Sequence, residues 1–137
     1  PDEPQILLHR LPLDDVPTCE IAPHFDDAFH FLDPIREMHK ESLEGPPRVL
    51  VHCKAGASRS ASVVVAWLMH AEGHSFATAL AFLKGRRAVV APNEGFLAQL
   101  ALWEAQRFRR VTWGVPEMEV YVRSAISKLT GSIKSLE

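Results

Sequence analysis

The stretch Arg48-Val49-Leu50-Val51-His52-Cys53-Lys54-Ala55-Gly56-Ala57-Ser58-Arg59-Ser60, continued by the apolar run Ala61 to Ala71, carries three patterns in succession. Arg48 to His52 is a short β-branched run of the kind that forms buried parallel strands. Cys53 to Ser60 is built largely of small residues, where Gly56 lets the backbone fold close to a ligand and Ala55 and Ala57 keep the loop small. Ala61 to Ala71 is apolar nearly all round, which predicts a buried central helix, and Gly73 closes it. A strand, a tight loop and a helix in this order make an anion site. The loop N–H groups converge on one point and the helix adds the positive end of its dipole. The sequence places a cysteine at the first position of that loop and an arginine at its last. The helix end, the loop amides and Arg59 all favour the thiolate of Cys53, so its pKa is expected well below the ~8.5 of a free thiol. Arg59 offers a planar fork of donors suited to two phosphate oxygens at once, which a lysine does not duplicate. Cys53 could instead be a structural cysteine, but an arginine six positions on argues against that reading.

Outward from this stretch the chain alternates apolar runs and breaks. Gln5 to Leu13 reads as a short strand, with Ile6, Leu7 and Leu8 closed by Pro12. Asp14-Asp15-Val16-Pro17 follows as a loop. From Pro23 the positions Phe25, Phe29, Leu32 and Ile35 recur at helical spacing, with Asp26 and Asp27 near the N-terminus where they suit the dipole, and Pro34 is expected to kink or end that helix. Residues Ser42 to Pro47 are a loop. Beyond the central helix, Phe76 to Lys84 forms a second short helix, a basic Gly85-Arg86-Arg87 turn leads to Pro92-Asn93, and a third helix runs from about Asn93 to Arg107 with Phe96, Leu97, Leu100 and Trp103 at core spacing. After Gly114-Val115-Pro116, a stripe of Met118, Val122, Ala125, Ile126, Leu129 and Ile133 is expected to dock on the domain, the alternative being a contact with another chain.

Composition narrows the function. The 137 residues fit one domain, 1–137, with 112–137 as a helical extension, and 47% hydrophobic against 23% charged residues is an ordinary globular balance. A net charge of −2 argues against a partner that is nucleic acid or an anionic membrane surface, so any anion site must be local. Two cysteines, Cys19 and Cys53, make no disulfide scaffold and fit a reducing compartment, cytoplasmic or nuclear. The longest apolar stretch, Ala61 to Met69, is too short for the roughly 18 residues of a membrane span. No metal or other cofactor is expected; His70 and His74 are four apart, but Gly73 between them disfavours a helical ligand pair.

His52-Cys53, five residues, Arg59 and Ser60 resemble the phosphate-binding loop of cysteine-based phosphatases, and the wider pattern, over roughly Ile6 to Gln106, resembles the dual-specificity phosphatases. Asp15 stands ten residues before Phe25, in the register of that family's acid, and Ala91-Pro92-Asn93-Glu94-Gly95-Phe96-Leu97-Ala98-Gln99-Leu100 is similar to its later Pro-Asn-x-Gly-Phe-x-x-Gln-Leu element. The resemblance implies an α/β fold, a parallel-rich central sheet flanked by helices in three layers. Its N-terminal strands would be missing here, so that either the chain is truncated relative to the family or a second chain completes the sheet.

It also implies a site. Cys53 is the nucleophile, Arg59 binds phosphate and the transition state, Asp15 is acid and then base, Ser60 hydrogen-bonds the thiolate and His52 orients Cys53. Lys54, Ala55, Gly56, Ala57, Ser58 and Arg59 form the substrate loop. Asp14 is the rival of Asp15. Asn93 either ties neighbouring loops together or simply caps a helix, and Arg86 and Arg87 either form a solvated turn or contact substrate phosphate. Cys19 could form a protective disulfide with Cys53 under oxidation. The implied activity is hydrolysis of phosphotyrosine and phosphoserine or phosphothreonine on protein substrates through a cysteinyl-phosphate. The small Ala57, where lipid-directed relatives carry a second cation, favours protein over lipid or phosphoinositide substrates. A non-catalytic phosphoprotein-binding module is the reading from a different class, and the presence of Cys53, Arg59 and Asp15 together weighs against it.

Overall fold

The computed structural model describes residues 5–41, 43 and 45–112, with the side chains of 39–41 left aside. Among the described residues four helices follow a 3₁₀ turn at Ala22–His24: α1 (Phe25–Glu41), α2 (Arg59–Glu72), α3 (Phe76–Arg86) and α4 (Glu94–Phe108). The stripe Met118 to Ile133 lies outside the described residues.

Helix α2 is the central element, as its all-round apolar character predicts, packing against α1, α3 and α4 with Val65, Ala66 and Met69 fully buried. The fully buried hydroxyl of Ser62 is satisfied locally, since its Oγ donates to the Ser58 carbonyl at 2.7 Å. Gly73 stops the helix in the left-handed region at φ 72°, a conformation glycine adopts without penalty. Helix α1 presents Phe25 and Phe29 to the core, where Phe25 meets Trp103 edge to face at 5.3 Å and Phe29 stacks on His70 at 4.2 Å. It runs through Pro34 instead of ending there. Both Pro34 and His30, four residues back, are exposed, so the carbonyl left without its donor faces water.

Glu104 on α4 is fully buried, although it is no part of the apolar spacing Phe96, Leu97, Leu100 and Trp103. Its carboxylate accepts from Phe76 N at 2.7 Å, Thr112 N at 2.9 Å and Arg110 Nε at 3.2 Å, so it satisfies a first-turn N–H of α3 and holds the chain after α4.

The expected strands are not seen among the described residues. Among the described residues neither 5–13 nor 48–52 is a strand, and the parallel-rich central sheet is therefore absent from this part of the chain. Composition favours a strand, but a strand exists only as one member of a hydrogen-bonded ladder, and a β-branched run cannot supply its own neighbour. Ile6 is 91% exposed and Leu50 83%, so side chains that a sheet would bury stand outside the core. Val49 and Val51 instead line an apolar groove of about 370 Å³ with Leu32, Ile35, Val63 and Trp67. The loop from Cys53 still leads directly into α2, which is what the site requires.

Candidate active site

The site is assembled from three separated pieces: the loop 53–58 with the first turn of α2, the segment 13–22, and the N-terminus of α4. At its centre, Cys53 Sγ lies 3.2 Å from Ser60 Oγ and accepts from Gly56 N at 3.3 Å. Gly56 adopts φ 67°, which turns its N–H toward the sulfur in a conformation that favours glycine. Burial pushes the Cys53 thiol up, but the Ser60 hydroxyl and the N–H groups of Ser60, Gly56 and Ala55 outweigh it and bring the thiol down to about 7. Arg59, expected from its place in the motif to favour the thiolate, is not among the groups that lower the thiol.

Alkylation of Cys53 by iodoacetamide, followed against pH, should therefore show a midpoint near 7. In Ser60→Ala, which removes the hydroxyl donor, the midpoint should rise by about one pH unit. A wild-type midpoint at the free-thiol value would mean that the loop does not activate the cysteine. The folded thiol titrates below its unfolded value. The stabilisation it brings is thus complete above the unfolded pKa and is lost as pH falls through about 7.

Arg59 reaches back across the site, and its Nη1 donates to the Leu13 carbonyl at 3.2 Å. Its Nε is buried and has no hydrogen-bond partner among the described residues. A buried guanidinium N–H without an acceptor is costly, and an acceptor oxygen placed between Arg59 and the loop would relieve it.

Asp15 is exposed, yet it is held. Asn93 Nδ2 donates to Asp15 Oδ1 at 3.0 Å, Asn93 N donates to Ser58 Oγ at 2.8 Å, and Asn93 Oδ1 accepts from Phe96 N at 2.9 Å. Both readings of Asn93 are realised at once: its oxygen caps α4 and its amide nitrogen ties Asp15 to the loop. The Ser58 hydroxyl first and the Asn93 amide second hold the Asp15 carboxyl below the ordinary carboxylate range; slight burial opposes them and the Arg59 charge adds to them. Asp15 and not Asp14 is the carboxylate that the structure joins to Asn93.

Of the other expected residues, Lys54 and Ala55 are exposed at the loop's rim, Gly56 and Ala57 are half-buried, and Ser58 and Ser60 are buried. His52 is exposed, and among the described residues no hydrogen bond joins it to Cys53. Arg87 is neither purely solvated nor remote: a Cβ added to Gly56 would stand 2.9 Å from its Nη2. Ala91 N also donates to the Ala57 carbonyl at 2.7 Å, so the stretch before α4 braces the loop. Cys19 and Cys53 are both free thiols. Sequence reasoning missed the Leu13 carbonyl, Gly95 and Gln99. A carbonyl has no residue signature, and the last two stood in the quoted Pro-Asn element without any pattern showing which segment they meet.

Among the described residues no cluster of three His, Cys, Asp or Glu side chains is placed to hold a metal ion, and no helix is long and apolar enough to cross a membrane. The arrangement offers an activated thiol, converging N–H donors and an adjoining carboxylate, the groups that transfer of a phosphoryl group to sulfur requires.

Residues 2–106 match the family model described as the dual specificity phosphatase catalytic domain. Dual specificity protein phosphatase 5 of Rattus norvegicus is 41% identical over 96 residues, which is 70% of this chain and 23% of that protein. Dual specificity protein phosphatase Mpk3 of Drosophila melanogaster is 38% identical over 97 residues, 71% of this chain and 22% of that protein. The chain thus spans less than a quarter of the length of either. Among solved structures, the human tyrosine phosphatase-like serine/threonine/tyrosine-interacting protein superposes with a TM-score of 0.63 at 36% identity, covering 72% of this chain and 60% of that one. DUSP15 superposes with a TM-score of 0.62 at 28% identity, covering 89% of this chain and 72% of that one. These are α/β phosphatase folds.

Proposed function

The chain belongs to the family of dual specificity phosphatase catalytic domains, and from that premise we propose that it hydrolyses phosphotyrosine and phosphoserine or phosphothreonine esters of proteins through a cysteinyl-phosphate intermediate. The observation that carries the reading is the pairing of a thiol brought down to about 7 with a buried Arg59 Nε that has no acceptor among the described residues. An equatorial phosphate oxygen is the acceptor that the guanidinium needs, and the loop N–H groups serve the others.

In the first step the Cys53 thiolate attacks phosphorus in line, the S–P bond forms and the ester P–O bond breaks, and the departing oxygen takes its proton from Asp15. In the second, Asp15 accepts a proton from water as that water attacks phosphorus, inorganic phosphate leaves, and Ser60 hydrogen-bonds the returning thiolate. Asp15 is depressed in the free protein. A bound phosphate dianion beside it raises the carboxyl again by like-charge repulsion, at the stage when a proton is needed. Substrate enters over the exposed Lys54 and Ala55 at the loop's rim. A thiol that acts only when reduced fits a cytoplasmic or nuclear setting.

Asp15→Asn should lose roughly 10²–10⁴-fold in kcat on esters with poor leaving groups, such as phenyl phosphate, and far less on nitrophenyl phosphate, whose leaving group needs no proton. Steady-state rates on the two esters check this, and equal losses on both would remove Asp15 as the acid. A side-by-side panel of phosphotyrosine peptides, phosphothreonine peptides and phospholipid vesicles tests substrate class, where a clear preference for lipid would overturn the protein assignment.

A further inference from the structure

We propose that Gly95 and Gln99 are positioning residues, a clamp on α4 that fixes the Asp15-bearing segment in place beside the phosphate loop. The inference rests on the reading of Asp15 as the proton donor. The segment 15–22 runs along the first turns of α4, and the contacts advance in step along both chains. Asn93 meets Asp15, Gly95 meets Pro17, and Gln99 meets Cys19, Ile21 and Ala22.

At Gly95 the approach is so close that an added Cβ would stand 1.9 Å from the Pro17 carbonyl oxygen and 2.6 Å from its carbonyl carbon. Because these are backbone atoms, any side chain at this position must displace the segment itself. Gly95 and Gln99 are four residues apart and so share one face of the helix. The Gln99 side chain bonds the segment through both ends of its amide: Oε1 accepts from Ile21 N at 2.8 Å and Ala22 N at 3.1 Å, and Nε2 donates to the Cys19 carbonyl at 2.8 Å. It satisfies three backbone groups of a segment that has no helix or sheet of its own before Ala22.

Ile21 beneath is fully buried, and Arg59 holds the Leu13 carbonyl on the other side of Asp15. Asp15 is thereby fixed from both directions while remaining exposed to substrate, so the proton donor is in position before substrate arrives. A displacement of about 1 Å in such a group costs roughly 10²-fold in rate, which is the leverage that a distant clamp exerts.

The test compares Gln99→Leu, Gly95→Ala, Asp15→Asn and the double variant Asp15→Asn/Gln99→Leu on phenyl phosphate and nitrophenyl phosphate. Gln99→Leu is expected to lose roughly 10–100-fold in kcat on phenyl phosphate but less than about 3-fold on nitrophenyl phosphate, with KM and inhibition by inorganic phosphate changed by less than about 2-fold. In the Asp15→Asn background the same substitution should cost less than about 3-fold on phenyl phosphate, because the acid through which it acts is already gone. Gly95→Ala should reproduce the pattern and decides the matter if Gln99→Leu does not fold. Equal losses on both esters in a folded variant, or an undiminished loss in the Asp15→Asn background, would overturn the clamp and leave Gln99 a general support of the fold. If Asp15→Asn itself shows no dependence on the leaving group, the acid assignment fails first and the clamp loses its role with it.

Discussion

Cys53→Ser is expected to abolish turnover of aryl phosphates, a fall of roughly 10⁶-fold to the uncatalysed background, while the protein keeps its affinity for the phosphate anion. The two halves of this result have separate causes. Turnover depends on a sulfur that is ionised near neutral pH, which the Ser60 hydroxyl and three backbone N–H groups provide by bringing the thiol to about 7. A serine hydroxyl in the same cradle stays protonated, because the same donors would have to lower a far higher pKa. Binding depends on groups that the substitution does not touch: the loop N–H donors, the start of α2 and the Arg59 guanidinium. Metal-free assays on nitrophenyl phosphate measure the first half, and calorimetric titration with a phosphotyrosine peptide measures the second. Turnover that survives in Cys53→Ser would sink the covalent mechanism. Loss of binding along with turnover would mean that the sulfur, and not the loop, holds the phosphate.

The parts of this site that were legible in the sequence are those whose chemistry is local. Cys53, Gly56, Arg59 and Ser60 lie within eight residues, and one turn of loop followed by one turn of helix converts their spacing into geometry almost regardless of the rest of the chain. Asp15 was legible only through its family register. Its tie to Asn93 spans 78 residues, and nothing in either neighbourhood specifies the other. Gln99 escaped for the same reason: a glutamine at a partly buried helix position reads as an ordinary polar residue until its carbonyl and amide are seen to meet Ile21, Ala22 and Cys19. Helices followed from periodicity, which each segment carries by itself, and Gly73 and Asn93 marked ends by local capping. The strands did not follow, because β-branched composition at 48–52 states a preference for a sheet, whereas the ladder depends on a neighbour elsewhere. Glu104 illustrates the converse: an acidic residue in a helical stripe reads as solvent-facing, but four donors from α3's start and residues 110 and 112 make its burial tolerable.

Arg59→Lys keeps the positive charge and should still lose roughly 10³–10⁴-fold in kcat/KM, most of it in kcat. If charge alone were at work, a lysine at the start of α2 would serve, since an ammonium attracts a phosphate dianion as well as a guanidinium does. The structure asks for more. Nη1 is committed to the Leu13 carbonyl at 3.2 Å, which aims the plane of the guanidinium, and the buried Nε has no acceptor among the described residues. As phosphorus becomes five-coordinate, its equatorial oxygens spread and gain charge, and donors fixed in a plane strengthen their bonds at that moment without reorganising. A lysine on a flexible stem cannot hold the Leu13 carbonyl and a phosphate oxygen in one rigid frame, so it binds the ground state better than it stabilises the transition state. The Leu13 tie carries a second consequence, because it anchors the chain two residues before Asp15 and brings a charge that helps keep that carboxyl low. In Arg59→Lys the vanadate affinity, which reports on the five-coordinate geometry, should fall by a factor close to the loss in kcat/KM, whereas the affinity for inorganic phosphate should fall by less than about tenfold. Arg59→Lys retaining kcat/KM to within tenfold would show that charge, and not the planar fork, is what the site requires at residue 59.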